Sequence, residues 1–210
     1  MLAIFSVCLI VFTILVIAEF GAREGWLRNE FGRKFVHITV GSFVAFWPLL
    51  LEWSQIIILS LAFIAVIAVS KYLNLFSAIH SVQRPTWGEI YFALTVGILA
   101  FVTQDGWIYM AALLHMSLAD GLAAIIGLRY GKRSRYSIFG HVKSAVGSLT
   151  FLLSSFTILT FYMIGAETTL AWPLIAVIAL GATVLENISP RGLDNLTTPL
   201  WVAFILVQFG

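Results

Sequence analysis

Long apolar stretches separated by short polar breaks make up most of this sequence. About 20 apolar residues in a helix span the hydrocarbon core of a bilayer, and eight stretches reach or approach that length. These stretches cover residues 2–20, 36–51, 54–73, 89–104, 106–128, 144–164, 171–187 and 196–209. No long linker or repeat interrupts the series. The pattern predicts an all-α fold, a polytopic membrane helical bundle of about eight transmembrane helices, formed by a single domain over residues 1–210.

The basic residues fall in alternate connections between the stretches. All 12 Lys and Arg lie in, or at the edge of, the connections after the first, third, fifth and seventh stretches. In the other connections, the only charged residues are acidic. Because basic loops stay on the cytoplasmic side of a membrane, the alternation predicts a multi-pass protein with both termini on the non-cytoplasmic side.

Composition excludes a soluble domain. The 210 residues are 60% hydrophobic and 10% charged, and the mean hydropathy is +1.00, which is more apolar surface than a soluble domain of this length can bury. The first stretch has no basic start, so we expect a transmembrane helix there rather than a removable signal. Cys8 is the single cysteine, which excludes an intramolecular disulfide.

Asp120 is a carboxylate placed inside an apolar stretch. Ionisable groups at membrane depth cost about 2.5–3.5 kcal/mol on insertion scales and usually mark a site. No basic residue lies within a helical turn of it, so we expect a bound cation as its partner. The stretch also carries small residues at every fourth position, typical of a helix-packing face: Ala119, Ala123, Gly127 and Gly131.

A basic loop follows that stretch and leads into the segment "HVKSAVGS" (141–148). Lys143 and Ser144 stand where the next helix would begin, and free N–H groups and the helix dipole favour anions there. The spacing is not that of a Walker A loop. The loop itself either binds phosphate or anchors the protein to anionic headgroups, through Arg129, Lys132, Arg133 and Arg135.

Two other predicted helix starts carry charges. In "RPTWGEIYF" (84–92), Thr86 and Glu89 have the spacing of a capping box, which would explain Glu89 without catalysis. In "EFGRKFVH" (30–37), four polar residues share one helical stripe, which predicts either a local ion-pair ladder or a second phosphate-binding helix start. They are Glu30, Arg33, Lys34 and His37.

The segment "ENISPRGLDNLTTPL" (186–200) combines acids with turn residues. Pro190 and Gly192 predict a tight turn that brings Glu186 and Asp194 towards each other. Carboxylates and the amide of Asn195 are hard oxygen ligands, which suit Mg²⁺.

Zinc and nucleophile chemistries find less support. The four histidines are dispersed, and neither HExxH nor GxSxG occurs. We expect His115, in the middle of a stretch, to be a hydrogen-bonded packing residue.

Five segments in their order resemble the CTP-dependent lipid-alcohol kinases of membranes, the polyprenol, dolichol, phytol and diacylglycerol kinases. They are "RKFVH" (33–37), "RPTWGEIYF" (84–92), "ADGLAAIIGLRYGK" (119–132), "KSAVGS" (143–148) and "ENISPRGLDNLTTPL" (186–200). The resemblance implies a membrane enzyme that moves the γ-phosphate of CTP to a lipid hydroxyl with Mg²⁺. It also implies functional roles for Asp120, Lys132, Lys143, Ser144, Glu186, Asp194 and Asn195.

We therefore expect phosphoryl transfer at the cytoplasmic face. The expected metal ligands are Asp120, Asp194, Asn195 and Glu186. The expected phosphate-binding residues are Lys143, Ser144 and Lys132, with Arg33, Lys34 and Arg84 as outer candidates. Either Asp120 or Glu89 would orient or deprotonate the lipid hydroxyl. Catalysis of this kind is mainly positioning and charge neutralisation, in which Lys143 takes part.

The expected partners are a membrane lipid alcohol, a nucleoside triphosphate and the bilayer, with no nucleic acid; the oligomeric state stays open. The short chain favours a phytol or polyprenol acceptor, with diacylglycerol as an option. The first alternative is transfer of CMP to a phospholipid by a phosphatidate cytidylyltransferase-like enzyme. That family has Glu before the glycine of its Lys-rich segment, where this chain has Val146 before Gly147. The second is a lipid or ion transporter, which should place its polar groups near the midplane and often shows an internal repeat.

Overall fold

Helices account for most of the computed structural model, which describes residues 2–27, 29–73 and 87–210. The helices are α1 (Leu2–Arg23), α2 (Asn29–Ala45), α3 (Trp53–Leu73), α4 (Gly88–Val102), α5 (Gly106–Leu114), α6 (Asp120–Tyr130), α7 (Ala145–Gly165), α8 (Trp172–Ile188) and α9 (Asp194–Phe209). A π-helical turn, His115–Ala119, joins α5 to α6, and short 3-10 turns occupy Trp47–Leu49 and Gly131–Ser134.

Each predicted stretch falls on a helical segment, and within the described part of the chain four segments are long and apolar enough to cross a membrane. These four are Leu2–Arg23, Trp53–Ser70, Gly106–Ser134 and Ala145–Gly165. Helices Gly88–Val102 and Trp172–Ile188 are apolar but shorter. Many large apolar side chains are exposed, among them Phe5, Phe101 and Phe161. The structure thus confirms a helical, membrane-associated chain, while the count of eight crossings and the side of the termini stay predictions.

The segment that runs through α5, the π turn and α6 lies at the centre of the bundle. More than half of its most apolar window is buried (56%), whereas α1 has only 17% buried. Tyr109 and Leu113 on α5 and Met116 in the π turn are almost fully buried. Its start is fixed by Asp105, whose Oδ1 accepts hydrogen bonds from the N–H groups of the second and third residues that follow it. The side chains of this central helix are therefore surrounded mainly by protein rather than by lipid.

A short β-hairpin interrupts the helices between α6 and α7. Strands β1 (Arg135–Ile138) and β2 (His141–Ser144) pair antiparallel, with Tyr136 opposite Lys143. The connecting residues Phe139 and Gly140 both have positive φ, at 46° and 79°, as a tight two-residue hairpin turn requires. The all-α prediction misses this hairpin, which occupies the basic loop and turns Lys143 back towards the bundle.

A tight turn joins α8 to α9, as predicted. The N–H of Leu193 donates to the carbonyl of Pro190 at 3.0 Å. Arg191 and Gly192 have φ of 52° and 87°, so the chain reverses within four residues. The last turn of α8 therefore lies beside the first turn of α9.

Candidate active site

Three carboxylates that are far apart in sequence converge at one place. Asp120 begins α6, Glu186 lies in the last turn of α8, and Asp194 begins α9. One oxygen of each lies within 4.8 Å of one oxygen of each of the others. Asp120 and Glu186 are buried, and Asp194 is half-buried. We call these residues the carboxylate cluster; they are three of the four residues predicted to hold a metal.

Asp120 has a basic partner after all. Lys34 of α2 donates to its Oδ2 at 2.5 Å, and Nε2 of His37 lies 3.2 Å from the same oxygen. Sequence reasoning missed these partners because it considered neighbours on the same helix alone, and a bound cation at Asp120 stays a prediction. Helix α2 can approach because Gly121 has no side chain where Ile38 packs.

The π-helical turn fixes the residues around Asp120. The N–H of Asp120 bonds to the carbonyl of His115, five residues back. His37 donates to the carbonyl of Met116 in the same turn at 2.8 Å. Such turns inside α-helices often occur at functional sites. Here the turn offers a backbone acceptor that helps hold His37 against Asp120.

His115 has a purely structural environment. The side chain is fully buried. Its Nδ1 lies 2.7 Å from the Ala111 carbonyl, so that nitrogen carries the proton and donates. Nε2 therefore accepts from the hydroxyl of Ser155, at 2.7 Å. The prediction of a hydrogen-bonded packing residue is confirmed.

Lys143 reaches the carboxylate cluster from strand β2. Its Nζ donates to Oε1 of Glu186 at 2.6 Å and to the Glu186 carbonyl at 3.0 Å. Burial lowers the pKa of Lys143, but the nearby carboxylates of Glu186, Asp194 and Asp120 outweigh burial and hold that pKa above its ordinary value. Lys143 therefore carries a positive charge at neutral pH.

Ser144 caps helix α7, as its predicted place at a helix start implies. Its Oγ accepts from the N–H of Gly147 at 3.1 Å. The side chain is buried against Gly127 and Gly131, two members of the small-residue stripe on the central helix. The stripe is thus a packing face, and phosphate binding by Ser144 stays a prediction.

Other predicted phosphate-binding residues lie farther out or are engaged locally. Lys132 is exposed in the 3-10 turn after α6, roughly 18 Å along the helix from Asp120 at about 1.5 Å per residue. Arg33 pairs with Glu30 at 2.8 Å, which confirms this part of the predicted ion-pair ladder at the start of α2. The other two members of the ladder, Lys34 and His37, contact Asp120 instead. Arg84 lies outside the described residues.

Asn195 follows Asp194 on α9, and Glu89 stands on α4, the helix that Asn195 contacts. The amide nitrogen of Asn195 donates to the carbonyl of Gly88 at 2.9 Å, and its own carbonyl accepts from Thr95 at 2.7 Å. Asn195 therefore links α9 to α4, and its predicted role as a metal ligand stays untested. Glu89 stands in the first turn of α4, and Thr86, its predicted capping partner, lies outside the described residues.

A second polar network holds the hairpin in place. The hydroxyl of Tyr136 donates to Oδ1 of Asn187 at 2.6 Å and lies 2.5 Å from Oγ of Ser148. Ser148 donates to the same Asn187 oxygen at 2.8 Å. The hairpin that carries Lys143 is thus fastened to α7 and α8. Sequence reasoning missed this network; the only signal was the position of Asn187 directly after Glu186.

An apolar groove adjoins the cluster. It lies between α1, α2, α3, α4 and the start of α9, and its volume is about 870 Å³ when the space open to the outside is included. Its walls are mainly apolar, with contributions from Leu15, Val36, Val40, Phe63, Val66, Ile67 and Phe92. Its polar lining comes from His37 in the middle of α2 and from residues near helix ends, at Arg33, Ser70, Glu89 and Asn195.

Known proteins with similar sequences share one description. Phytol kinase of Synechocystis sp. is 35% identical over 200 residues, which are 91% of this chain and 84% of that protein. Probable phytol kinase 1, chloroplastic, of Oryza sativa subsp. japonica is 32% identical over 83% of this chain. Probable phytol kinase 2, chloroplastic, of Glycine max is 30% identical over 87% of it. The chain spans 62% and 66% of the length of these two plant relatives. No family model and no solved structure matches the chain.

Proposed function

Because the chain belongs to the phytol kinase family, we propose that it is a membrane kinase that transfers the γ-phosphate of CTP to the hydroxyl of a lipid alcohol. The observation that carries the proposal is the carboxylate cluster, which an apolar bundle holds together with Lys34 and Lys143. Buried charges are costly in such a bundle, so a cluster of this kind supports a site for chemistry.

The donor set suits Mg²⁺. Three carboxylates are hard oxygen ligands, and Mg²⁺ commonly binds one or two of them together with substrate phosphates. The two lysines do not balance three negative charges. Asp120, Glu186 and Asp194 would hold the ion, beside the contacts that Lys34 and His37 make with Asp120 and that Lys143 makes with Glu186. The ion, when bound, supplies neutralisation of the charge on the triphosphate.

The protein's own groups would bind and orient the triphosphate. Lys143 would exchange its contact with Glu186 for a phosphate oxygen, beside the N-terminus of α7, where the helix dipole favours anions. Lys132 and Arg84 would act as outer attractors of the nucleotide. Lys34 could bind phosphate, as predicted, only if it left Asp120. We therefore assign Lys34 chiefly to holding that carboxylate.

In the transfer, the lipid oxygen forms a bond to the γ-phosphorus while the bond to the β,γ-bridging oxygen breaks, and CDP leaves. The hydroxyl proton passes to a carboxylate. Asp120 is held by Lys34 and His37, whereas Glu89 lines the groove. This division favours Asp120 as metal ligand and Glu89 as the group that orients or deprotonates the hydroxyl.

CTP as the donor and a phytol or polyprenol alcohol as the acceptor rest on the family. The cytoplasmic face rests on the placement of basic residues in alternate connections.

The test uses purified protein, Mg²⁺, a panel of lipid alcohols and CTP labelled at either the α- or the γ-phosphate. Label that reaches the lipid only from the γ position supports the kinase, and competition by unlabelled ATP or CTP identifies the donor. Label from the α position would mean CMP transfer. Folded protein that transfers neither label to any alcohol would refute the proposal and favour transport or binding.

A further inference from the structure

We propose that the apolar groove between α1, α2, α3 and α4 is the acceptor site and binds a single-chain lipid alcohol with its hydroxyl at the polar end. The identity of the occupant rests on the proposed function, but binding in the groove can be tested without any phosphoryl transfer.

The lining of the groove is arranged for an amphiphile. Its polar lining comes from the first turns of α4 and α9, from the last turn of α3, and from Arg33 and His37 in the N-terminal half of α2. The walls away from these ends are apolar, as at Val40 and Phe63. A hydrocarbon chain gains free energy along such walls, while a hydroxyl needs partners only at its own end. A fully polar ligand would leave its groups without hydrogen bonds over most of this length.

One residue, His37, connects the polar end of the groove with the carboxylate cluster. His37 lines the groove and also contacts Oδ2 of Asp120 at 3.2 Å. A hydroxyl placed beside His37 and Glu89 would therefore lie next to the carboxylate cluster. The apolar part extends away from that point, from Ser70 to Phe63 on α3, over about 10 Å of helix at 1.5 Å per residue.

The groove favours one hydrocarbon chain. Its volume of about 870 Å³ includes space that is open to the outside, so the part enclosed between the helices is smaller than that. A two-chain lipid would have to leave one chain outside. Val66 lines the groove and is 57% exposed, so the groove opens towards the bilayer, from which a lipid alcohol would come.

Helix α3 offers a matched pair of variants. Val66 lines the groove, whereas Val69, 54% exposed on the same helix, is not part of its lining. Val66→Trp should fill the groove and raise the KM for a long isoprenoid alcohol by about tenfold, equivalent to about 1.4 kcal/mol. The KM for the nucleotide should stay unchanged. Val69→Trp should leave both constants near wild type. Equal effects of the two variants on the lipid KM would overturn the proposal.

Binding is measured separately, with an isoprenoid alcohol that carries a photoactivatable diazirine near its hydroxyl. The expected result is saturable labelling of peptides from α2, α3 and α4, which unlabelled isoprenoid alcohol displaces and Val66→Trp reduces. If dioleoylglycerol displaces the label equally well, the single-chain assignment is wrong. Labelling that is spread over the apolar surface and cannot be displaced would refute the groove. Saturable labelling in a protein without transferase activity would leave the groove intact and refute only the kinase.

Discussion

The carboxylate cluster and the apolar groove meet at His37, which contacts Asp120 and lines the groove, but the two are built in opposite ways. The cluster collects charged groups from α6, α8 and α9, and ion pairs with Lys34 and Lys143 hold it. The groove is formed by ordinary apolar faces, and polar groups line it near several helix ends and at His37 in the middle of α2. The first arrangement costs free energy to maintain, and the second is what an apolar helical bundle provides readily.

This difference predicts that changes in the cluster and changes in the groove affect different kinetic constants. Charges that are fixed in advance lower the barrier of phosphoryl transfer, so damage to the cluster should appear mainly in kcat or in metal dependence. Apolar walls bind the ground state and the transition state of a lipid chain equally, so damage to the groove should appear in the KM for the lipid. The predictions below test this separation.

The largest effect is expected from Asp120→Asn. This change removes a charge that pairs with Lys34 and His37, and we expect kcat to fall on the order of 1,000-fold. Saturable labelling of the groove should persist. The measurement is a steady-state assay with γ-labelled nucleotide, with Asp105→Asn as the control, since Asp105 caps α5 and lies outside the cluster.

Folding is the necessary check on that variant. Removing one partner of a buried pair can cost about 3–5 kcal/mol, because Lys34 would be left without its carboxylate. The double variant Lys34→Met with Asp120→Asn removes both charges and should recover much of the stability without recovering activity. Near-normal kcat in folded Asp120→Asn would exclude Asp120 from the chemistry.

Metal dependence should respond next, at Asp194. Asp194→Asn keeps the shape of the side chain and removes one negative ligand, so the Mg²⁺ concentration for half-maximal rate should rise on the order of tenfold, about 1.4 kcal/mol. A titration of rate against Mg²⁺ measures this, and high Mg²⁺ should restore most of kcat. Exposed Glu52→Gln is the control. An unchanged Mg²⁺ requirement would remove Asp194 from the metal site.

An effect at least as large as that of Asp194→Asn, but below that of Asp120→Asn, is expected from Lys143→Met, and on the nucleotide rather than the lipid. One charge-assisted contact is worth about 1.5–3 kcal/mol, so the KM for the nucleotide should rise about 10- to 100-fold. Lys143→Arg should recover part of the loss, since it keeps the charge but not the ammonium geometry. A change confined to the lipid KM would contradict the assignment of Lys143 to the donor side.

Much of the cluster could be predicted from sequence, for local reasons. Placing a carboxylate in an apolar stretch costs free energy, so such a residue usually marks a site, and this reasoning identified Asp120. The turn signals at Pro190 and Gly192 were enough to bring Glu186 beside Asp194, because a tight turn leaves little freedom over eight residues.

The missing parts depend on contacts between distant segments. Lys34 stands 86 residues from Asp120, and no spacing rule connects two helices that far apart. The π turn before Asp120 was not predicted either, because bonding to the fifth residue back has no clear sequence signature. The hairpin lay in what was interpreted as a basic loop, although Tyr136, Ile138 and Val142 have the residue types that favour strands.

The smallest predicted effect tests whether that hairpin positions Lys143. Tyr136 stands opposite Lys143 in the ladder and donates to Asn187. Tyr136→Phe removes the hydrogen bond to Asn187, which should weaken the attachment of the hairpin by about 1 kcal/mol. The nucleotide KM should then rise about fivefold, with kcat and the lipid KM nearly unchanged. Exposed Ser137→Ala on the same strand is the control. If Tyr136 acts through Lys143, adding Tyr136→Phe to Lys143→Met should not raise the nucleotide KM further, because the two changes then affect one contact. Additive effects would instead mean that Tyr136 supports the fold and not the position of the lysine.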